Sequence, residues 1–240
     1  MTNLKILDCT LRDGGYYNQW NFSNSQVKNY LKAINGSNID VVEIGFRFFE
    51  KKKEFGKFAF LDDNYLNKLK ISSKIQIAIM INSSDLLLKK FRNKDIFELI
   101  GPKKKSRVSI IRFATHYTDV KKVTHYLKFV KELGYLTIIN LMQANLISEK
   151  KIIDIVKHLK HHRAVDVIYF ADSLGNMKPN DIKRTCKIIR KNWSKEIGIH
   201  THDNCGEALK NSVQAYKSGA TWIDGTIQGM GRGAGNVTTE

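Results

Sequence analysis

The sequence predicts an α/β protein built as a (β/α)8 barrel. Short apolar runs of strand length recur eight times along the 240 residues. Helical patterns with their own caps fall between several of them. The length agrees too, since such barrels typically take ~250 residues. A doubly wound open sheet is the runner-up. The repetition is architectural, with no matching repeat in the residues themselves, and residues 1–240 read as one domain.

In chain order, the first strand covers 4–10 (LKILDCT) and runs into Leu11-Arg12-Asp13-Gly14-Gly15. The paired glycines there permit an unusual backbone path. Ser23-Asn24-Ser25-Gln26 is a capping box, and its helix ends at Gly36. Further strands are read over 40–45, 75–81, 109–114, 136–141, 165–171, 197–202 and 221–226. From Asp119 an apolar stripe runs through Val120, Val123, Leu127, Val130 and Leu133, and Gly134 stops it. Ile152, Ile155, Val156 and Leu159 make another stripe. Pro179 sits at the first turn of a helix carrying Ile182 and Ile189. Ala208, Leu209, Val213 and Ala215 stripe the next helix, closed by Gly219.

Two segments break the rhythm. The connection over 46–63 (FRFFEKKKEFGKFAFLDD) is long and is expected to be an active-site loop. At Val237-Thr238-Thr239-Glu240 an eighth helix is barely begun. The barrel is therefore expected to lack most of that helix, as a fragment or with a partner covering the seam.

Composition narrows the function. Hydrophobic content of 42% and charged content of 26% fit a soluble globular chain. No apolar run reaches membrane-spanning length, and the N-terminus carries no secretory pattern. Cys9, Cys186 and Cys205 form an odd, unpatterned set, which fits a reducing cytoplasm. The net charge of +17 raises nucleic acid as a partner. The lysines, however, are spread over most helical segments, with tight runs only at 51–53 and 103–105. That pattern reads as a solvated surface, so neither nucleic acid nor membrane is an expected partner.

Active sites of such barrels lie at the C-terminal ends of the strands. Those ends supply Arg12 and Asp13, Glu43 and Arg47, Thr115 and His116, Asn140 and Gln143, Asp172 and Ser173. The seventh supplies His200 and His202, which share a face because residues two apart on a strand do. One carboxylate, Asp13, and two imidazoles suit a divalent ion with open positions. A 2-oxo acid can chelate there, with Arg12 stabilising an enolate. Arg47 is expected to reach the substrate. Plainer readings stay open: Arg12 pairing with Glu43, Asp172 or Asp8; Glu43 as a buried ion-pair partner; His116 capping its loop; Cys205 as a packed thiol. His125, His158, His161 and His162 read as surface residues. The glycine-rich run 225–235 reads as a phosphate cradle or as a tight loop over the barrel mouth.

The motifs LDCTLRDGG, EIG, ADSLGNM, HTHDNCGEAL and GMGRGAGNVTTE occur in that order. They resemble those of the DRE-TIM metallolyases, which include HMG-CoA lyase, isopropylmalate and homocitrate synthases and 4-hydroxy-2-oxovalerate aldolase. The resemblance implies metal ligands Asp13, His200 and His202, with Asn236 as a fourth. It implies Arg12 as the enolate's cation and Glu43 as the third residue of the family's name. Manganese or magnesium is the implied ion, with cobalt or zinc next. RFATHYTDV looks most like the aldolase branch, which cleaves a 4-hydroxy-2-oxo acid to pyruvate and an aldehyde through a metal-bound enolate, with Ser173 on the carboxylate.

Two departures stand out. The aldolases carry a histidine base shortly after RDG, where this chain has RDGGYYNQW. Tyr16, a water or His116 is then left to take the 4-hydroxyl proton, and a phenol with reference pKa ~10 is a poor base. The bacterial aldolases also continue into a helical region that contacts an aldehyde dehydrogenase, and that partner is not carried over. A homo-oligomer remains open. The alternatives are a Claisen-type acyl-CoA/2-oxo acid synthase, a catalytically silent barrel and, from another class, a basic nucleic-acid-binding protein.

Overall fold

Alternation along each strand sorts side chains into an inward and an outward set, and both sets are apolar here. The computed structural model describes residues 4–240. Eight parallel strands close on themselves in sequence order. They are β1 (Lys5–Asp8), β2 (Val41–Phe46), β3 (Gln76–Asn82), β4 (Ile110–His116), β5 (Leu136–Met142), β6 (Val167–Asp172), β7 (Glu196–Thr201) and β8 (Trp222–Gly225). The barrel closes through β1 on β8, with Lys5 opposite Trp222 and Asp8 opposite Gly225.

Inward residues of the lower barrel, among them Leu7, Val41, Ile110, Ile138, Val167 and Trp222, form one apolar cluster. Outward residues such as Ile44, Ile79, Phe113, Ile139 and Ile199 form a second, larger core with the surrounding helices. The barrel is thus filled below and leaves room only at its C-terminal mouth.

The helices are α1 (Thr10–Asp13), α2 (Asn24–Asn35), α3 (Asp63–Leu66), α4 (Ser83–Leu88), α5 (Asn93–Ile100), α6 (Val120–Glu132), α7 (Glu149–His162), α8 (Pro179–Asn192) and α9 (Ala208–Lys217). Ser23 and Gln26 form the expected capping box on α2, and Pro179 stands at the start of α8. No helix among the described residues is long and apolar enough to cross a membrane.

Two local expectations are corrected and a third is sharpened. The first strand stops at Asp8, and Arg12 and Asp13 sit on the helical turn α1. Gly14 there has an ordinary right-handed conformation. Gly15 is needed for room instead, because a Cβ on it would lie 2.1 Å from Trp20 Cδ1. The connection 46–63, expected as an active-site loop, packs as an aromatic wall whose Phe46 lines the cavity. Phe46, Phe48 and Phe55 surround Trp20 at centroid distances of 5.6, 5.4 and 5.0 Å. Residues 237–240 do not begin a helix. They run extended beside the end of β8, where Thr226 N–H donates to Val237 O and Thr239 N–H to Thr226 O.

Candidate metal centre

Asp13, His200 and His202 converge at the mouth, with one ligand atom from each lying within 4.8 Å of the others. All three are buried. β7 and the residue just past it deliver the two imidazoles on the inner face, and α1 delivers the carboxylate across the β8–β1 closure. His200 Nε2 lies 3.8 Å from Asp13 Oδ2.

The other ring nitrogens are held from behind. His202 Nδ1 lies 3.1 Å from Arg232 O. A carbonyl only accepts, so Nδ1 carries the proton and Nε2 keeps its lone pair. His200 Nδ1 donates to Asp224 Oδ2 at 2.9 Å, which likewise frees Nε2. Burial and the neighbouring His200 push the His202 imidazole down to about 4. It is therefore neutral at pH 7, as a ligand must be. Burial pushes the Asp13 carboxyl up, but Arg12, His200, His202 and an Asn236 hydrogen bond outweigh it and bring it to about 2.

A second cluster, Cys9, His200 and Asp224, lies behind the first. It does not fit an ion. Cys9 Sγ donates to Gly225 O, and burial raises its thiol well above the usual range. Asp224 and His200 are already bound to each other.

The front cluster does fit. Asn236 lays its amide against Asp13 Oδ2, and Asn236 Oδ1 is buried without a partner. The amide nitrogen also donates to Met230 O at 3.1 Å, so two acceptors fix Nδ2 and Oδ1 is the atom left over. The glycine loop lies tight against this pair. A Cβ at Gly231 would stand 2.2 Å from Asn236 Nδ2 and 2.7 Å from Asp13 Oδ2. The loop packs over the mouth against Asp13 and Asn236.

Arg12 Nε donates to Glu43 Oε2 at 2.6 Å and Nη1 donates to Asp13 Oδ1, while Nη2 is buried without a partner. Arg12 pairs with neither Asp172 nor Asp8. Asp172 accepts the N–H groups of Asn176 and Met177, and Asp8 accepts from Tyr30 and Thr239. Glu43, fully buried, also faces Arg112 Nη1 at 3.2 Å. It is not among the residues that line the cavity, and its contacts are with the two guanidiniums.

The cavity above the centre has a volume of about 420 Å³, and its lining includes Arg12, Asp13, Tyr16, His116, Ser173, His200, His202 and Arg232. Ser173 Oγ accepts Gln143 N–H at 3.0 Å. Arg47 is a correction. Its guanidinium turns outward to Leu99 O, Ile100 O and Asp63, which fixes the wall and not a substrate. His116 lines the cavity, but Nδ1 meets Thr118 Oγ1 at 2.7 Å and Nε2 meets Gln143 Oε1 at 2.9 Å. Neither nitrogen is free to act as a base. Burial raises the Tyr16 phenol further from the range of a base. Cys205, expected to be packed, is exposed.

Arg112 and Asp224 were missed from sequence. A lone Arg and a lone Asp at inward positions of apolar runs were the available signal.

A family model described as HMGL-like matches residues 70–240. The 4-hydroxy-2-oxovalerate aldolases of Carboxydothermus hydrogenoformans and Pelotomaculum thermopropionicum are 30% and 29% identical over 99% of this chain, which spans 68% of each. Among solved structures, the N-terminal domain of a Bacteroides vulgatus protein assigned as an aldolase is 35% identical, with TM-score 0.87 over 98% of this chain and 77% of that one. A Bacillus subtilis HMG-CoA lyase shares the fold at 16% identity and TM-score 0.71, over 97% of this chain and 79% of that one. The chain belongs to the HMGL-like family, within the DRE-TIM metallolyases whose ordered motifs it carries.

Proposed function

We propose that this protein is a divalent-metal-dependent aldolase that cleaves a 4-hydroxy-2-oxo acid to pyruvate and an aldehyde. The carrying observation is the convergence of one carboxylate and two back-tied imidazoles within 4.8 Å at the barrel mouth. The activity named for the aldolase relatives supports the same reaction class. Asp13, His200 and His202 would hold the ion, with the Asn236 amide oxygen as a fourth donor. When bound, the ion supplies a Lewis acid for the oxygens of the 2-oxo acid end, and this mixed oxygen and nitrogen set suits Mn²⁺ or Mg²⁺, with Co²⁺ or Zn²⁺ next.

The chain's own residues do the rest. Arg12, clamped by Glu43 and Asp13, keeps Nη2 available for the negative charge that grows on the enolate oxygen. Ser173 Oγ accepts from Gln143, which leaves its own proton for the substrate carboxylate. In the cleavage a water at the open mouth takes the 4-hydroxyl proton, the C3–C4 electron pair moves to C2–C3 as the C2 carbonyl oxygen becomes the enolate oxygen, and the aldehyde departs. The enolate then takes one proton at C3 to give pyruvate. Tyr16 keeps its phenol proton at neutral pH and serves as a hydrogen-bond donor at the mouth.

The test is a calorimetric metal titration together with pyruvate release from 4-hydroxy-2-oxopentanoate. One ion should bind per chain, and Asp13→Ala should abolish both binding and turnover. An intact chain that takes up no divalent ion refutes the reading.

A further inference from the structure

Two cavity-lining residues bury a polar side-chain atom without a partner among the described residues: Arg12 at Nη2 and Asn140 at Oδ1. The first is accounted for by the enolate. The second is not used by the chemistry above. Asn140 is only 4% exposed, on the inner face of β5. An amide buried without a partner is costly, so its retention calls for a ligand that completes it.

Position says which part of a ligand that is. The strands close in sequence order, so β5 stands across the barrel from β1. A substrate held by its 2-oxo acid end at Asp13, His200 and His202 must extend its aldehyde half toward that far wall. Along β4 the residue opposite Asn140 is Ala114, and both residues line the cavity. The other polar groups of this wall are satisfied from within. Asn82 accepts Ser84 N–H as a helix cap, and His116 and Gln143 hold each other.

We propose that the aldehyde half of the substrate carries a hydroxyl next to its carbonyl, and that the Asn140 amide recognises it through a hydrogen bond. This rests on the aldolase reading above. Asn140 is then a specificity residue, and a plain alkyl aldehyde would leave its amide unpaired.

The test runs the reaction in the synthetic direction. Pyruvate and Mn²⁺ are supplied with glycolaldehyde or with propanal, which has the same size but a methyl in place of the hydroxyl. The wild-type chain should favour glycolaldehyde in kcat/KM by at least ~10-fold. Asn140→Leu should remove or reverse that ratio without lowering the melting temperature, since it deletes an unpartnered buried amide. Asn140→Ala gives the same ratio test if the leucine variant does not fold. Equal use of the two aldehydes by wild type, or a ratio unchanged by substitution, overturns the proposal. Deuterium exchange into the pyruvate methyl separates the two levels. If exchange persists without hydroxyaldehyde preference, only the substrate assignment fails. If exchange is absent, the aldolase reading fails and this one with it.

Discussion

A single carboxylate oxygen, Asp224 Oδ2, accepts from Arg112 Nη2 at 2.7 Å and from His200 Nδ1 at 2.9 Å. Arg112 also faces Glu43, and Glu43 holds Arg12. A buried chain of alternating charge thus runs under the cavity from Arg12 to His200. Burial pushes the Asp224 carboxyl up, and Arg112 and His200 outweigh it, so it stays ionised. Such a chain fixes the tautomer and direction of a ligand that it never shares with the ion. Asp224→Asn keeps the shape and removes the charge. It should lower metal affinity by roughly 10–100-fold in a chelator-competition titration, with all three ligands intact. Removing one partner of a buried ion pair should also cost ~3 kcal/mol in urea unfolding. Unchanged metal affinity would show that Asp224 does not orient His200.

The elements are pinned at the end of the barrel away from the mouth by a different acid. Asp166, just before β6, accepts Thr137 N–H of β5 at 3.0 Å and pairs with Lys131 of α6, while Lys195 lies 3.6 Å away. Partial burial raises its pKa, but the Lys131 hydrogen bond, the Thr137 N–H and both lysine charges take it below the usual carboxylate value. A folded-state pKa below the unfolded one adds stability above about pH 4, which is lost as the pH falls through the folded value. Asp166→Asn should therefore destabilise the fold more at pH 7 than at pH 3. Denaturant midpoints at the two pH values check this, and a difference that does not shrink on the acid side refutes it.

For the molecule as a whole, the candidate ligands come from both ends of the chain. Asp13 lies on α1, His200 and His202 on and just after β7, and Asn236 beyond β8. An ion held there binds only when the barrel has closed, so loading should stabilise the fold by mass action. At free metal 100-fold above Kd, the gain is about 2.7 kcal/mol. A melting temperature that rises with Mn²⁺ and falls back on adding EDTA is the expected result. No shift, where calorimetry reports binding, would mean that the unfolded chain binds the ion equally well.

Much of this was legible in the residues alone. Eight apolar runs with caps between them mark alternating strands and helices, because strand and helix periods differ and each must bury one side, and closure of the sheet was then read from the chain length. Residues two apart on a strand share a face, so His200 and His202 were bound to project together. RDG and HTHDN in order marked the family. What only the tertiary structure decided is partnership across the closure. Glu43 between Arg12 and Arg112, Asp224 behind His200, Arg47 turned into the wall and Asn140 left unpaired all depend on neighbours far away in sequence. The partners Arg112 and Asp224 stand 112 positions apart. Local periodicity says which face a side chain takes, but register and barrel closure set what it meets there.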